Sequence, residues 1–225
     1  MDRALQDAFE KKTWADEAKG KPRSGSGSTI RRTRRLRRAL PGLLRDLEVK
    51  TFLDAPCGDW NWMSDVDLSG VNYIGGDISK ELVDEVKATH KGPKRRFVHL
   101  DLATDKLPKC ELIMVRECLI HLTDENRWKV IANIYKAKIP YLLLTVDLVD
   151  ENRPLTENGQ HANFNPMMAP FNFPKPVRHI PESHDALDLD KDVTDAGVGP
   201  WKRRRTMGLW THEQLGEVLE AREVS

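Results

Sequence analysis

Three aspartates stand at or near the ends of short apolar runs: Asp54 closes Thr51-Phe52-Leu53, Asp77 closes Tyr73-Ile74-Gly75-Gly76, and Asp101 lies near the end of Phe97 to Leu102. If those runs are strands of one open parallel sheet, all three face the edge where such sheets bind ligands. The loop after the first run, Asp54-Ala55-Pro56-Cys57-Gly58-Asp59-Trp60, has one glycine and two aspartates. A pyrophosphate site needs G-x-G-x-x-G to bring several backbone amides to the phosphates, and two carboxylates would repel them. The loop suits a ligand with an ammonium group and no phosphate. Asp54 or Asp59 is then the counter-charge, and Gly58 lets the backbone approach closely. Asp77 comes eighteen residues after Asp59, where an acidic residue takes ribose hydroxyls.

The elements that would carry these residues alternate. Strand patterns at Thr51–Ala55, Tyr73–Asp77, Phe97–Leu102, Leu112–Val115 and Tyr141–Val146 are separated by helix patterns, one after a Ser79 cap and one after Thr123 with Asp124 and Glu125 in its first turn. This predicts an α/β fold, a doubly wound sheet of mostly parallel strands with helices on both faces. An earlier helix is expected over Thr29 to Leu47, with Leu36, Leu40, Leu43, Leu44 and Leu47 on one face and a break or kink at Pro41. A last strand is expected at Thr206–Trp210, then a helix led by the capping box Thr211-x-x-Gln214. The expected organisation is an N-terminal arm or lid over residues 1–28 and one domain over 29–225. That domain carries an irregular, proline-rich substrate cap at about 150–205.

Composition narrows the classes. The 225 residues are 39% hydrophobic and 32% charged, with 36 Lys plus Arg against 35 Asp plus Glu, so the chain is not basic overall. No window approaches the roughly 18 apolar residues of a membrane span, and the charged start MDRALQDAFEKK predicts a cytoplasmic protein without membrane attachment. Cys57, Cys110 and Cys118 form no C-x-x-C pair and are expected as reduced thiols. His161, His179 and His184 lack ligand spacing. The Asp188, Asp190, Asp192 and Asp195 run has Val193 where a calcium loop needs glycine, so no metal is expected.

The constellation resembles the class I S-adenosylmethionine (SAM)-dependent methyltransferases, over roughly Thr51 to Val149. The resemblance is carried by LDAPCGD at 53–59, YIGGDIS at 73–79, HLDL at 99–102 and VRECLIHL at 115–122. More narrowly, SGSGST, DAPCGDWNWM, R-x-CL-x-HL, PFNFPKP and a late GLW are similar to a little-characterised bacterial and phage subgroup. The resemblance implies a Rossmann-like sheet with SAM as donor and S-adenosylhomocysteine (SAH) as product. It puts Asp54 and Gly58 at the methionine end, Asp77 at the ribose, and Asp101 with the Leu102 backbone at the adenine. Cys57, Asp59, Trp60, Ile78 and Arg116 complete the expected surroundings, with Trp14 and the Ser24–Ser28 loop, including Ser26 and Ser28, closing over the cofactor. Trp60 stands where the family's first loop usually has a second glycine.

Methyl transfer from a sulfonium needs alignment and exclusion of water, and a base only where the acceptor must lose a proton. His121 is the candidate base, just beyond the fourth strand, with Arg116 and Glu117 beside it either to orient substrate or cofactor or to pair with each other and finish the strand. Cys118 follows Glu117 rather than proline, which disfavours it as a nucleophile. Phe164, Phe171 and Phe173 either roof an acceptor pocket or pack in the core. The expected reaction is methylation of oxygen, less readily nitrogen, on a small polar or sugar-like acceptor such as a glycan. Nucleic acid is an alternative through the basic clusters Arg31–Arg38 and Lys202–Arg205, and a non-catalytic SAM-binding module is a third reading.

Overall fold

The computed structural model describes residues 3–10, 22–182 and 205–223. Trp14, His184, the Asp188–Asp195 run and Lys202, Arg203 and Arg204 lie outside them, as does much of the expected cap. Seven strands form one sheet: β1 (Thr51–Asp54), β2 (Asn72–Asp77), β3 (Arg95–His99), β4 (Leu112–Val115), β5 (Tyr141–Asp147), β6 (Arg178–Pro181) and β7 (Arg205–Thr211). Their order is β3-β2-β1-β4-β5-β7-β6. The pairs from β3 to β5 are parallel, whereas β7 runs antiparallel to both β5 and β6. Among the described residues no helix is long and apolar enough to cross a membrane.

Alternating side chains on the central strands feed two cores. Leu53, Ile113, Val115, Leu142 and Leu144 pack with α4 (Asp124–Lys136), α5 (His212–Glu223) and Leu5 of α1 (Arg3–Glu10). Phe52, Leu112, Met114 and Leu143 pack with α2 (Ile30–Asp46) and α3 (Lys80–His90). A sheet covered on both faces explains why its central strands read as continuous apolar runs. The expected caps form: Ser79 Oγ accepts from Leu82 N, and Thr211 and Gln214 exchange hydrogen bonds of 3.1 and 3.3 Å. Thr123 begins α4 without a side-chain cap bond, leaving Asp124 and Glu125 to face the helix dipole.

Two local expectations need correcting, on the end of β3 and on a break at Pro41, and two elements, β6 and α1, were not expected. β3 ends at His99, because the apolarity of Leu100 and Leu102 belongs to core packing past the strand. α2 continues through Pro41 to Asp46, held to the sheet by Leu40, Leu43 and Leu44 on either side of the proline. β6 is an edge strand with Ile180 in the core, so it tolerates Pro181 and carries no apolar run. α1 has eight residues whose apolar contacts with the core are Leu5 and Phe9, too few for periodicity to stand out.

Leu36 is fully buried in the α2 seam. Leu36→Ala is expected to destabilise the fold by about 3 kcal/mol, read as a lower urea midpoint with an unchanged m-value.

Candidate active site

The carboxyl ends of β1, β2 and β4 open into a cavity of about 340 Å³. Asp54, Cys57, Gly58, Asp77 and Ile78 line it from the first two strands, and Arg116, Glu117, Cys118 and His121 line it from the fourth. Gly58 has φ 58, and a Cβ there would stand 2.7 Å from the Cβ of Ser24, so glycine is required for both conformation and space. Its amide donates to Asp77 Oδ2 at 3.0 Å, while Asp77 Oδ1 accepts from Ser79 N at 3.0 Å. Burial raises the Asp77 carboxyl against these amides, which pull it down. Asp54 is 2% exposed and accepts from the Tyr73 hydroxyl at 2.7 Å. Burial lifts its carboxyl to about 7, against that hydrogen bond and the charge of Arg116.

Other residues expected at the cofactor lie elsewhere. Asp101 is fully buried and turns into its own loop, accepting from Ala103 N at 2.8 Å and Thr104 Oγ1 at 2.7 Å. Because β3 ends two residues earlier, Leu100, Leu102 and Ala103 take that part of the wall. Trp60 does not line the cavity. It sits at φ 56 in an aromatic cluster, its ring centre 5.8 Å from those of both Tyr73 and Phe97. Asp59 accepts from Ser24 Oγ at 2.7 Å and so fastens the N-terminal loop. Ser26 is exposed, whereas Ser28 lines the cavity.

The fourth-strand edge is an ion network. The Arg116 guanidinium contacts Glu182 and donates from Nη2 to Gly27 O at 2.7 Å and to Glu117 Oε1 at 3.1 Å. Arg205 pairs with Glu117 at 2.7 Å and with Asp147 at 2.8 Å. Burial pushes the Glu117 carboxyl up, but Arg116, Arg205 and His121 outweigh it and hold it at about 2. Glu117 is therefore ionised and poorly suited to accept a proton. Arg205, expected in a surface basic cluster, is 8% exposed and belongs to this network. Gly27 packs so closely on Glu117 that a Cβ would stand 2.2 Å from its carboxylate.

His121 is 8% exposed, and its Nδ1 lies 2.7 Å from the carbonyl oxygen of Gln160. A carbonyl only accepts, so Nδ1 carries a proton, and whenever the ring is neutral its lone pair is on Nε2. Burial pushes the Cys118 thiol up to about 12, which makes it a poor nucleophile. Phe164, Phe171 and Phe173 are core residues: Phe164 and Phe171 meet edge to face at 4.9 Å, and Phe173 packs on Trp210 at 5.5 Å.

Sequence periodicity missed the wall formed by α1. Leu5, Phe9 and Glu10 line the cavity together with Arg23, which pairs with Glu81 at 3.0 Å and also contacts Glu85. The Leu5 and Phe9 spacing of i, i+4 was the available signal.

No protein-family model matches the chain, and no curated protein matches it in sequence. Solved structures match its fold. The N-methyltransferase NodS from Bradyrhizobium japonicum WM9, in complex with SAH, aligns over 93% of this chain and 98% of its own, at a TM-score of 0.58 and 13% identity. The 1,6-didemethyltoxoflavin-N1-methyltransferase of Burkholderia thailandensis, with 1,6-didemethyltoxoflavin and SAH bound, aligns over 92% of this chain and 86% of its own, at 0.54 and 18%. Human N-acetylserotonin methyltransferase in complex with SAM shares a smaller part, 65% of this chain and 48% of that one, at 0.40 and 18%. This chain thus spans about half of that enzyme's length. Strand order, the reversed β7 and the two full-length alignments agree: the chain has the fold of the class I methyltransferases.

Proposed function

We propose that this chain is a SAM-dependent methyltransferase acting on an oxygen or nitrogen of a polar acceptor. The observation that carries the reading is the pair of buried carboxyl groups, Asp54 and Asp77, on the wall of one cavity with the Gly58 backbone between them. Among the described residues neither is ion-paired. Buried acids held without a partnering cation fit a ligand that brings its own positive charge, as SAM does with its ammonium and sulfonium groups. The chemistry SAM supplies when bound is an electrophilic methyl group, with SAH as what remains.

The chain's own residues would do the rest. Asp54 pairs with the ammonium group, and Asp77, whose oxygens each retain accepting capacity beyond one backbone amide, takes ribose hydroxyls. Ile78, Leu100 and Leu102 offer an apolar slot for the adenine. Leu5 and Phe9 exclude water from above, which strengthens each electrostatic contact inside. His121 takes the acceptor's proton at Nε2, while Arg116 and Glu117 act on position, by fixing the Gly27 carbonyl and the floor beside His121. The bound molecules in the two full-length structural matches, and their names as N-methyltransferases, keep nitrogen in the reading alongside oxygen.

Two outcomes are expected. With methyl-labelled SAM and a panel of hydroxyl and amine acceptors, His121→Gln should lower kcat by about a hundredfold and leave SAM affinity within about twofold. Full turnover in that variant would remove the base. SAM affinity should also depend on pH through Asp54. Its carboxyl near 7 is protonated in the empty cavity below that pH and must ionise to pair with the ammonium. Affinity therefore rises about tenfold from pH 6 to pH 7.5 and then levels off, and Asp54→Asn flattens the profile.

A further inference from the structure

We infer that the exposed arginine face of α2 is a nucleic-acid docking surface leading to the mouth of the cavity, so that the methyl acceptor is carried on a nucleic acid. This deepens the methyltransferase reading and rests on it.

The chain has a net charge of only +1, yet Arg31, Arg32, Arg34, Arg35, Arg37 and Arg38 fall within eight consecutive positions. These positions form the first turns of α2, whose opening turn contains no acidic residue. Cations there add to the positive end of the helix dipole and repel one another at i, i+3 and i, i+4, so the arrangement works against helix stability. Neighbouring acids do little to neutralise it. Arg37 pairs with Asp65 at 3.1 Å, but among the described residues no ion pair holds Arg31, Arg32, Arg35 or Arg38. Arg31, Arg32 and Arg38 are exposed.

Two features decide what such a surface would bind. The apolar stripe of α2, Leu36, Leu40, Leu43 and Leu44, is wholly buried against the sheet. Apart from Ile30 at the helix start, 41% exposed, α2 presents no large exposed apolar side chain, and one such residue is not the apolar face that an interfacial helix lays into a bilayer. The cationic groups are all arginine, whose planar fork matches phosphate oxygens in pairs. The surface is also joined to the cavity. Arg32 reaches Ser26 Oγ at 3.5 Å, two residues before Ser28, which lines the cavity, and Gly27 between them touches Glu117. A phosphodiester chain lying along α2 would therefore bring its sugars and bases to the Ser26–Ser28 edge of the cavity that His121 also lines.

The test is fluorescence anisotropy of labelled single- and double-stranded DNA and RNA with the full chain at several salt concentrations. SAM calorimetry is run on the same samples. Binding should weaken with salt, and the triple variant R31Q/R32Q/R38Q should lose about a hundredfold in affinity for single strands at 0.1 M salt. Its log–log salt slope should be smaller by about 2, as expected for three lost phosphate contacts. SAM affinity of the variant should match that of the parent. No oligonucleotide binding at low salt, parent-like affinity in the triple variant, or binding to anionic phospholipid vesicles without binding to oligonucleotides would each overturn the proposal. Normal SAM binding in those cases leaves the methyltransferase reading standing. Oligonucleotide binding without SAM binding leaves the docking surface standing and removes the cofactor.

Discussion

Charge buried at the carboxyl edge of the sheet is the constraint on which the rest of the site depends. Arg116, Glu117, Glu182, Arg205 and Asp147 come from four strands or their immediate ends and form one connected set of ion pairs. Removing one partner from such a set leaves a desolvated charge and costs about 3–5 kcal/mol. The network therefore fixes the β6–β7 pair against β4 and β5. Through the Gly27 carbonyl, it also fixes the loop that brings Ser24 and Ser28 to the cavity. The backbone at Glu117 is in the left-handed region, at φ 50, and its amide is held by Thr145 Oγ1 at 2.8 Å. Arg116 and Glu117, adjacent in sequence, thus both serve the same closure.

Across the cavity the logic is reversed. Asp54 and Asp77 are buried with hydrogen-bond donors and, among the described residues, in no ion pair, and burial raises both carboxyl groups. One wall satisfies its charges internally and the other leaves them for a ligand. That asymmetry explains how Glu117 and Asp54, both lining the same cavity, differ so widely in acidity, and the proposed division into positioning and binding groups rests on it.

The placing of Asp54, Gly58 and Asp77 on one cavity wall was legible in the sequence because strand-end acids in a parallel sheet have few places to point. Asp54, Gly58 and Asp77 are fixed by the ends of β1 and β2, and His121 by the turn after β4. Asp101 shows the limit. Its position depended on where an edge strand stopped, and a polar start at Arg95-Arg96 followed by apolar wall residues shifted the apparent strand by two to three positions. Trp60 shows another. Its place in the loop suggested the cofactor, but a large apolar side chain at a left-handed turn was taken by the nearest core. Of the ion network only the Arg116–Glu117 pair was open to the sequence, since Arg116 and Glu182 are 66 residues apart and nothing local pairs them. The helix Arg3–Glu10 was missed because Ala4, Leu5, Ala8 and Phe9 recur at helical spacing over only 8 residues, too short a run to stand out.

The central claim is that the acidic wall binds SAM. Calorimetric titration of the purified chain with SAM and with SAH at pH 7.5 tests it most directly. The account predicts one site per chain with micromolar affinity for each, lost in Asp77→Ala while the protein stays folded. No heat with either ligand from folded protein, or unchanged affinity in the variant, would contradict it.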